Sequence, residues 1–342
     1  RAPLELDGRI NGALNDGLQF LRDSPLREKF GPLLPELSGK GDFALDLAMA
    51  VPLNRNSAAS LSGEFSFLGS SLSAASNNLA FTDIDGAIKF DQDRLWSETI
   101  HAKLFGRRIE VDLKDGVFAE STELSAQGIF AVNDLLRGFQ PTELEWIKGE
   151  APWRFELEIP HKGSPHHGSL SARLYSDLKG ISIDLPEPFR KSVDEPRRVQ
   201  ITSDLAPRRE PPLTLRYGTL LSAYLLLGKG DTDDLLIEGA SIQLGGRMAK
   251  RPESADMNIR GELEVLDLSE FSLADDGTTL LPPLKRVDIG IGKLQLMGFE
   301  IDAARINVDR GDNAWIGVYN SDQGDGSIRI PFDTDHDRIQ LR

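Results

Sequence analysis

Residues 41–54 read GDFALDLAMAVPLN, with Phe43, Leu45, Leu47, Met49 and Val51 on alternate positions and Asp42, Ala44, Asp46, Ala48 and Ala50 between them. Strict alternation over ten residues predicts a β-strand with one apolar and one wet face. Trp153, Phe155, Leu157 and Ile159 repeat the pattern around Arg154, Glu156 and Glu158. From Gly41 onward strand patterns dominate, about 20 of them, separated by Gly, Asp-Gly and Asn turns. A unit of apolar residue, any residue, Gly, any residue and alternating apolar residues recurs at Leu61–Phe67, Ile84–Phe90 and, more loosely, Ile259–Val265. Glycines in phase within strands predict bends or bulges in a sheet that grows by adding strands.

Helical patterns are few. Ile10, Leu14, Leu18 and Leu21 have helical spacing, and Ser24-Pro25 reads as the cap and first position of a second helix ending between Pro35 and Gly39. Short helices are expected over 132–138, around Asn133–Arg137, and over 267–274, with Asp267 as N-cap. Proline density over Leu185–Pro212 predicts a boundary or an edge crossing. The expected organisation is a helical connecting segment over 1–39, a sheet segment over 40–190 and another over 191–342.

The 342 residues carry a net charge of −15, so attraction to phosphate backbones is a poor basis for binding and no nucleic-acid partner is expected. The absence of cysteine excludes disulfides and thiolate metal sites. No apolar run is long enough to span a membrane as a helix. The chain opens Arg1-Ala2-Pro3 without an initiator Met, and it is expected to be a piece of a longer protein.

Candidate chemistry is sparse. His161, His166 and His167 share one loop with Gly163, Ser164 and Pro165, and no carboxylate set accompanies them at metal-ligand spacing. Asp333–Asp337 begins like a calcium loop but lacks the following Gly and the distal Glu. Gly290-Ile291-Gly292-Lys293 lies inside a strand pattern, and Arg310-Gly311-Asp312 reads as a hairpin turn. No serine sits in a nucleophile elbow. No metal site, cofactor or enzymatic activity is expected. Apolar alternation alone fits a closed sandwich or an open, ligand-filled groove.

Six stretches carry a resemblance in order along the chain: 24–54, 61–90, HAKLFGRRIEVDL at 101–113, GEAPWRFELEIP at 149–160, SDLKGISIDLPEPFRKSVDEPRRV at 176–199, and NAWIGVYNSDQGDGSIRIP at 313–331. The set resembles the YhdP family of AsmA-like bacterial proteins. That resemblance implies a mainly β fold, an elongated, curved antiparallel sheet folded lengthwise into a β-groove. It implies a periplasmic location in a Gram-negative bacterium, with an inner-membrane tether in the full-length protein. It also implies transfer of phospholipids, with acyl chains as the direct partner and inner- and outer-membrane components engaged through parts outside this segment. The alternation then names the expected lining: Phe43, Leu45, Leu47, Met49, Val51, Phe65, Phe67, Ile84, Ile88, Phe90, Ile109, Val111, Leu113, Trp153, Phe155, Leu157, Ile159, Ile181, Ile183 and Leu185. The rival expectation is a cell-envelope scaffold that docks partners by strand addition without conducting lipid.

Overall fold

A computed structural model describes residues 4–23, 37–52, 60–74, 79–91, 94–116, 121–138, 144–161, 164–165, 170–204, 212–229, 235–269, 282–296, 298–332 and 340–342. The fold is mainly β, with few helices, and it divides into two compact units.

The first unit contains β1 (Leu4–Ala13), α1 (Leu14–Asp23), β2 (Leu37–Val51), β3 (Ser60–Ala74), β4 (Leu79–Phe90), β5 (Leu95–Ser97), β6 (Ile100–Leu104), β7 (Arg107–Asp115) and β8 (Ser121–Phe130). Its strands pair antiparallel in chain order, except that β4 pairs with β5 over Ile88–Phe90 and with β6 over Phe81–Asp85. The switch falls at Gly86, which has a φ of 139° and whose backbone lies so close to Ile100 that a Cβ would come within 3.0 Å of it. This is the bend expected from the in-phase glycines.

Between the parts of the first unit, the chain contributes to the second α2 (Val132–Leu135), continued by a 3₁₀ turn over Leu136–Gly138, and β9 (Ile147–Gly149). Then β10 (Ala151–Pro160) pairs with β8, and β11 spans Ser171–Ser176.

The second unit continues with β12 (Ile181–Ile183), β13 (Val199–Asp204), β14 (Pro212–Tyr217), β15 (Leu221–Lys229), β16 (Leu235–Leu244), β17 (Met257–Asp267), β18 (Leu284–Leu296), β19 (Phe299–Arg310), β20 (Ala314–Ser321), β21 (Gly324–Pro331) and β22 (Gln340–Leu341). β12 and β9 form a separate two-stranded sheet. From β13 to β22 the strands pair in single file.

The expectation of a wholly antiparallel sheet is corrected here: β16–β17 and β17–β18 are parallel, so the sheet is mixed. A parallel neighbour needs a crossover of a dozen or so residues rather than a hairpin, and within β13–β22 the connections after β16 and β17 are the ones that reach that length.

The helix expected to include Ile10 is also corrected. Ile10 lies in β1, and the helix begins at Leu14. Leu14, Gly17, Leu18 and Leu21 form its buried stripe at the spacing of one helix face. Asp16 in the first turn and Arg22 in the last complement the helix dipole, and Arg22 donates to the Leu37 carbonyl at the start of β2. β2 starts at Leu37, inside the stretch expected to be helical, while residues 24–36 lie outside the described residues. The helix expected over 132–138 is present. Of that expected over 267–274, residues 270–274 lie outside the described residues; Asp267 ends β17, and its Oδ1 accepts a hydrogen bond from the Ser269 N–H at 2.9 Å.

Candidate functional site

Cross-strand register turns the sequence alternation into faces. In the first unit the pairings align Leu6, Met49 and Leu61; Gly8, Leu47, Gly63 and Phe90; Ile10, Leu45, Phe65 and Ile88; and Gly12, Phe43, Phe67 and Gly86. Alternate residues point to opposite faces, so these rows form one apolar surface four strands wide. Glycine has a positive function in it. A Cβ on Gly63 would meet the Phe90 ring at 2.7 Å, so the ring lies across the space that the missing side chain leaves.

Burial along this surface is graded. Phe43, Leu45 and Phe65 are 3%, 0% and 2% exposed. Phe43 and Phe65 stack at 5.0 Å, and Phe67 meets Phe65 edge-on at 5.2 Å. α1 seals this end: a Cβ on Gly17 would come within 2.8 Å of the Phe43 ring. Toward the other end Leu47 and Val51 are half-buried, whereas Met49 and Leu6 are 39% and 51% exposed.

The remaining expected residues of this unit are also packed. Ile109, Val111 and Leu113 face Ala102 and Ile100 on β6 and Gly128, Ala126 and Leu124 on β8. Ile84 is buried. The Trp153 indole donates to the Phe130 carbonyl at 3.2 Å. Leu157 and Ile159 pack with Leu170 and Ala172, with Phe155 and Leu124 against them. On β10, Arg154 is exposed and Glu156 half-buried, but Glu158 is buried beside Leu157 and takes a hydrogen bond from the Ser121 hydroxyl. Wet and dry faces are therefore distinct only over the first half of this strand.

The opposite side of β1–β4 carries a charged ladder in register: Arg9, Asp46, Glu64 and Lys89, ending at Trp96 on β5. A concavity of about 680 Å³ is lined partly by these residues. Arg9 lies 3.7 Å from Asp46, and Lys89 lies 3.1 Å from Glu98, which raises the Lys89 pKa by hydrogen bond and charge.

Ile181 and Ile183 lie in the second unit's two-stranded sheet, and Leu185 follows it.

The second unit holds a wider surface that the expected lining omitted. One row runs Ile201, Leu215, Ala223, Ile242, Ile259, Val287, Val308, Gly317, Ile328 and Leu341, across ten strands from β13 to β22. The next runs Val199, Tyr217, Leu221, Leu244, Gly261, Ile289, Ile306, Tyr319 and Gly326. Every position in both rows is apolar, aromatic or glycine. Seven residues of the first row, Ile201, Leu215, Ile242, Ile259, Val287, Val308 and Ile328, are only half-buried. The period-two signal was present, for example in Leu213-Thr214-Leu215-Arg216-Tyr217 and Val287-Asp288-Ile289-Gly290-Ile291, but the expected lining stopped at Leu185.

The proline-rich stretch expected to hold a boundary or an edge crossing is tightly held over Leu185–Arg198, and a division between the two units follows at Ser203/Asp204; residues 205–211 lie outside the described residues. Phe189 packs onto the buried cluster of Leu244, Leu263, Ile289, Ile291 and Leu294. Three successive carbonyls are tied down: Glu187 accepts from the Asp267 N–H at 3.1 Å, Pro188 from Arg197 Nη1 at 2.9 Å and Phe189 from the Tyr217 hydroxyl at 3.3 Å. Arg197 also binds Glu195 at 2.6 Å and lies 5.2 Å above the Tyr217 ring. The hydrogen bond from Arg197 holds the Glu195 carboxyl below its usual range, and burial pushes the Tyr217 phenol up. Lys191 is 2% exposed, with Nζ donating to the Ile181 carbonyl at 2.6 Å and the Ser192 carbonyl at 2.9 Å; burial lowers its pKa.

His161 Nε2 lies 2.9 Å from the Thr122 hydroxyl, while His166, His167, His336 and the Asp333–Asp337 stretch lie outside the described residues. Among the described residues no group of three or more His, Asp or Glu could hold a metal, and no helix is long and apolar enough to cross a membrane.

A model of the family described as "YhdP protein" matches residues 1–342. The chain is similar to the intermembrane phospholipid transporter YhdP of Escherichia coli (strain K12), 26% identical over 207 residues, covering 59% of this chain and 16% of that protein. The chain thus spans well under two thirds of that relative's length. No solved structure matches the chain.

Proposed function

The chain belongs to the YhdP family over its whole length, and from that premise we propose that its two apolar sheet faces carry the acyl chains of phospholipids as a segment of an intermembrane transporter. The supporting observation is the ten-strand row from Ile201 to Leu341, apolar throughout and left half-buried along most of its length. Apolar area removed from water is worth roughly 25 cal/mol per Å², which holds a hydrocarbon tail without selecting its chemical structure. Each atom-pair contact is worth only about 0.1–0.2 kcal/mol, so a tail can exchange one row for the next with little barrier. No bond is made or broken, and the role is non-enzymatic. In this reading the segment works in the periplasm of a Gram-negative bacterium, within a longer protein tethered to the inner membrane. In the first unit the lining open to a tail is Leu47, Met49 and Val51, with the buried residues from Phe43 to Ile159 packed as its support, and in the second unit it is the two rows from β13 to β22.

The test is native mass spectrometry and lipid extraction of the purified chain. Co-purifying phospholipid, lost on introducing Ile259→Asp with the fold retained by circular dichroism, is the expected outcome. A folded chain that carries no lipid and takes none up from phosphatidylethanolamine and phosphatidylglycerol vesicles would overturn the reading.

A further inference from the structure

At one end of the second unit's apolar rows, the row beyond Val308, Gly317 and Ile328 is Arg310, Trp315 and Ile330. The hairpin at Gly311, closed by its N–H to the Ala314 carbonyl at 2.9 Å, presents this row at the rim of the face. The Arg310 guanidinium lies 5.8 Å above the Trp315 ring and 5.2 Å above the Phe332 ring, and the two rings meet edge-on at 6.1 Å. Arg310 is exposed, and Phe332 is 44% exposed. Among the described residues Arg310 forms no salt bridge. The neighbouring cation, Lys285, is occupied by Asp256 at 3.1 Å, and the Asp256 carboxyl is held below its usual range first by Ser254, then by Lys285, with a smaller contribution from Arg310.

A guanidinium braced by two aromatic rings keeps its fork of N–H donors in a fixed plane, the geometry that suits a phosphate. Here that fork stands where the apolar rows end, so hydrocarbon placed on Val308 and Ile328 ends beside it.

We propose that Arg310, braced by Trp315 and Phe332, is a headgroup site that binds the phosphate of a phospholipid whose tails lie on the adjacent apolar rows. The site rests on the lipid-carrying reading above and adds to it a fixed position for the head. The ligand class is a phosphodiester with attached acyl chains, and any lipid that lacks the phosphate is held by its tails alone.

The test measures binding of dihexanoylphosphatidylglycerol, dihexanoylglycerol and inorganic phosphate to the purified chain by calorimetry, with tryptophan emission as a second readout. Arg310→Gln is expected to weaken phospholipid binding about tenfold, the loss of one charge-assisted pair, and to leave dihexanoylglycerol binding within about twofold. Arg310→Lys, which keeps charge but not the planar fork, should fall between. Equal loss for both lipids, or no loss for the phospholipid, overturns the headgroup site while leaving tail binding standing. Inorganic phosphate bound as tightly as the phospholipid overturns it in favour of a free-anion site. A wild-type chain that binds neither tailed ligand overturns the lipid-carrying reading itself, and the headgroup site with it.

Discussion

The two units use the same period-two code on opposite terms. In the first, α1 closes one end of the apolar face, so Phe43, Leu45 and Phe65 are core residues, and the face opens toward Leu6 and Met49 and, along β1, at Ile10. In the second, Phe189 covers the buried cluster around Leu244 and Ile289, and the ten-strand row beside it stays half-buried. An apolar stripe on a strand therefore does not say whether it belongs to a core or a binding surface. What is laid over it decides, and the same substitution should have different consequences in the two places.

The largest expected contrast is within one strand. Leu45→Asp puts an unpaired carboxylate where the side chain is fully enclosed and should cost several kcal/mol, enough to unfold the first unit. Leu47→Asp, two residues along the same face but half-buried, should leave the fold near native and remove lipid binding. Urea unfolding of the two variants checks this, and equal destabilisation would show Leu47 to be sealed as well.

Next comes truncation. Phe65→Ala should cost about 3–5 kcal/mol because it removes a stacked, buried ring. Ile259→Ala in the half-buried row should cost less, about 1–2 kcal/mol, since part of its side chain already meets solvent. Chemical denaturation of both variants tests whether the second face is open, and similar losses would erase the distinction between units.

Lys191 gives a pH-dependent contrast. Burial lowers its folded pKa below the ordinary 10.5, so between that lowered value and 10.5 the unfolded chain binds more protons than the folded one. Stability attributable to Lys191 therefore rises with pH through that window, and its burial penalty is present in full below it. The wild-type chain minus Lys191→Met, compared by urea unfolding at successive pH values up to 10.5, should show this positive slope. A flat difference would mean that the ammonium is as well solvated folded as unfolded.

The smallest effect belongs to the charged ladder. Asp46→Asn removes a partner 3.7 Å from Arg9 with both side chains substantially exposed, so it should change stability by less than about 1 kcal/mol. A larger loss in thermal unfolding would show that the ladder is structural.

Much of the first face was legible in the sequence. The alternation from Phe43 to Val51 placed five residues on one side, and register pairs Phe43, Leu45, Leu47 and Met49 with Phe67, Phe65, Gly63 and Leu61, and Val51 with Leu4. Glu158 was misleading because it is buried and accepts a hydrogen bond from Ser121, which outweighs the wet-face rule at that position. Ile10 fitted helical spacing with Leu14, yet pairing with Leu45 drew it into a strand, where tertiary partners override a four-residue pattern. The proline-rich stretch read as a boundary or an edge crossing because proline is excluded from central strands. The side chains of Arg197, Tyr217 and Lys191, which hold it against the sheet, leave no periodic trace.

By itself the sequence determined a mainly β chain with apolar and wet faces, because side-chain direction along a strand is fixed by a period of two residues. It also determined family membership, which is carried by ordered strand and turn patterns. Only the tertiary structure decided which strands are neighbours, that β17 lies parallel to both of its partners, and that Ile201 and Leu341, 140 positions apart, mark the ends of one apolar row. Pairing depends on long-range backbone hydrogen bonds and crossover length, neither of which is written in local periodicity. The cover over each face, a helix in one unit and Phe189 in the other, likewise depends on contacts between segments far apart in the chain.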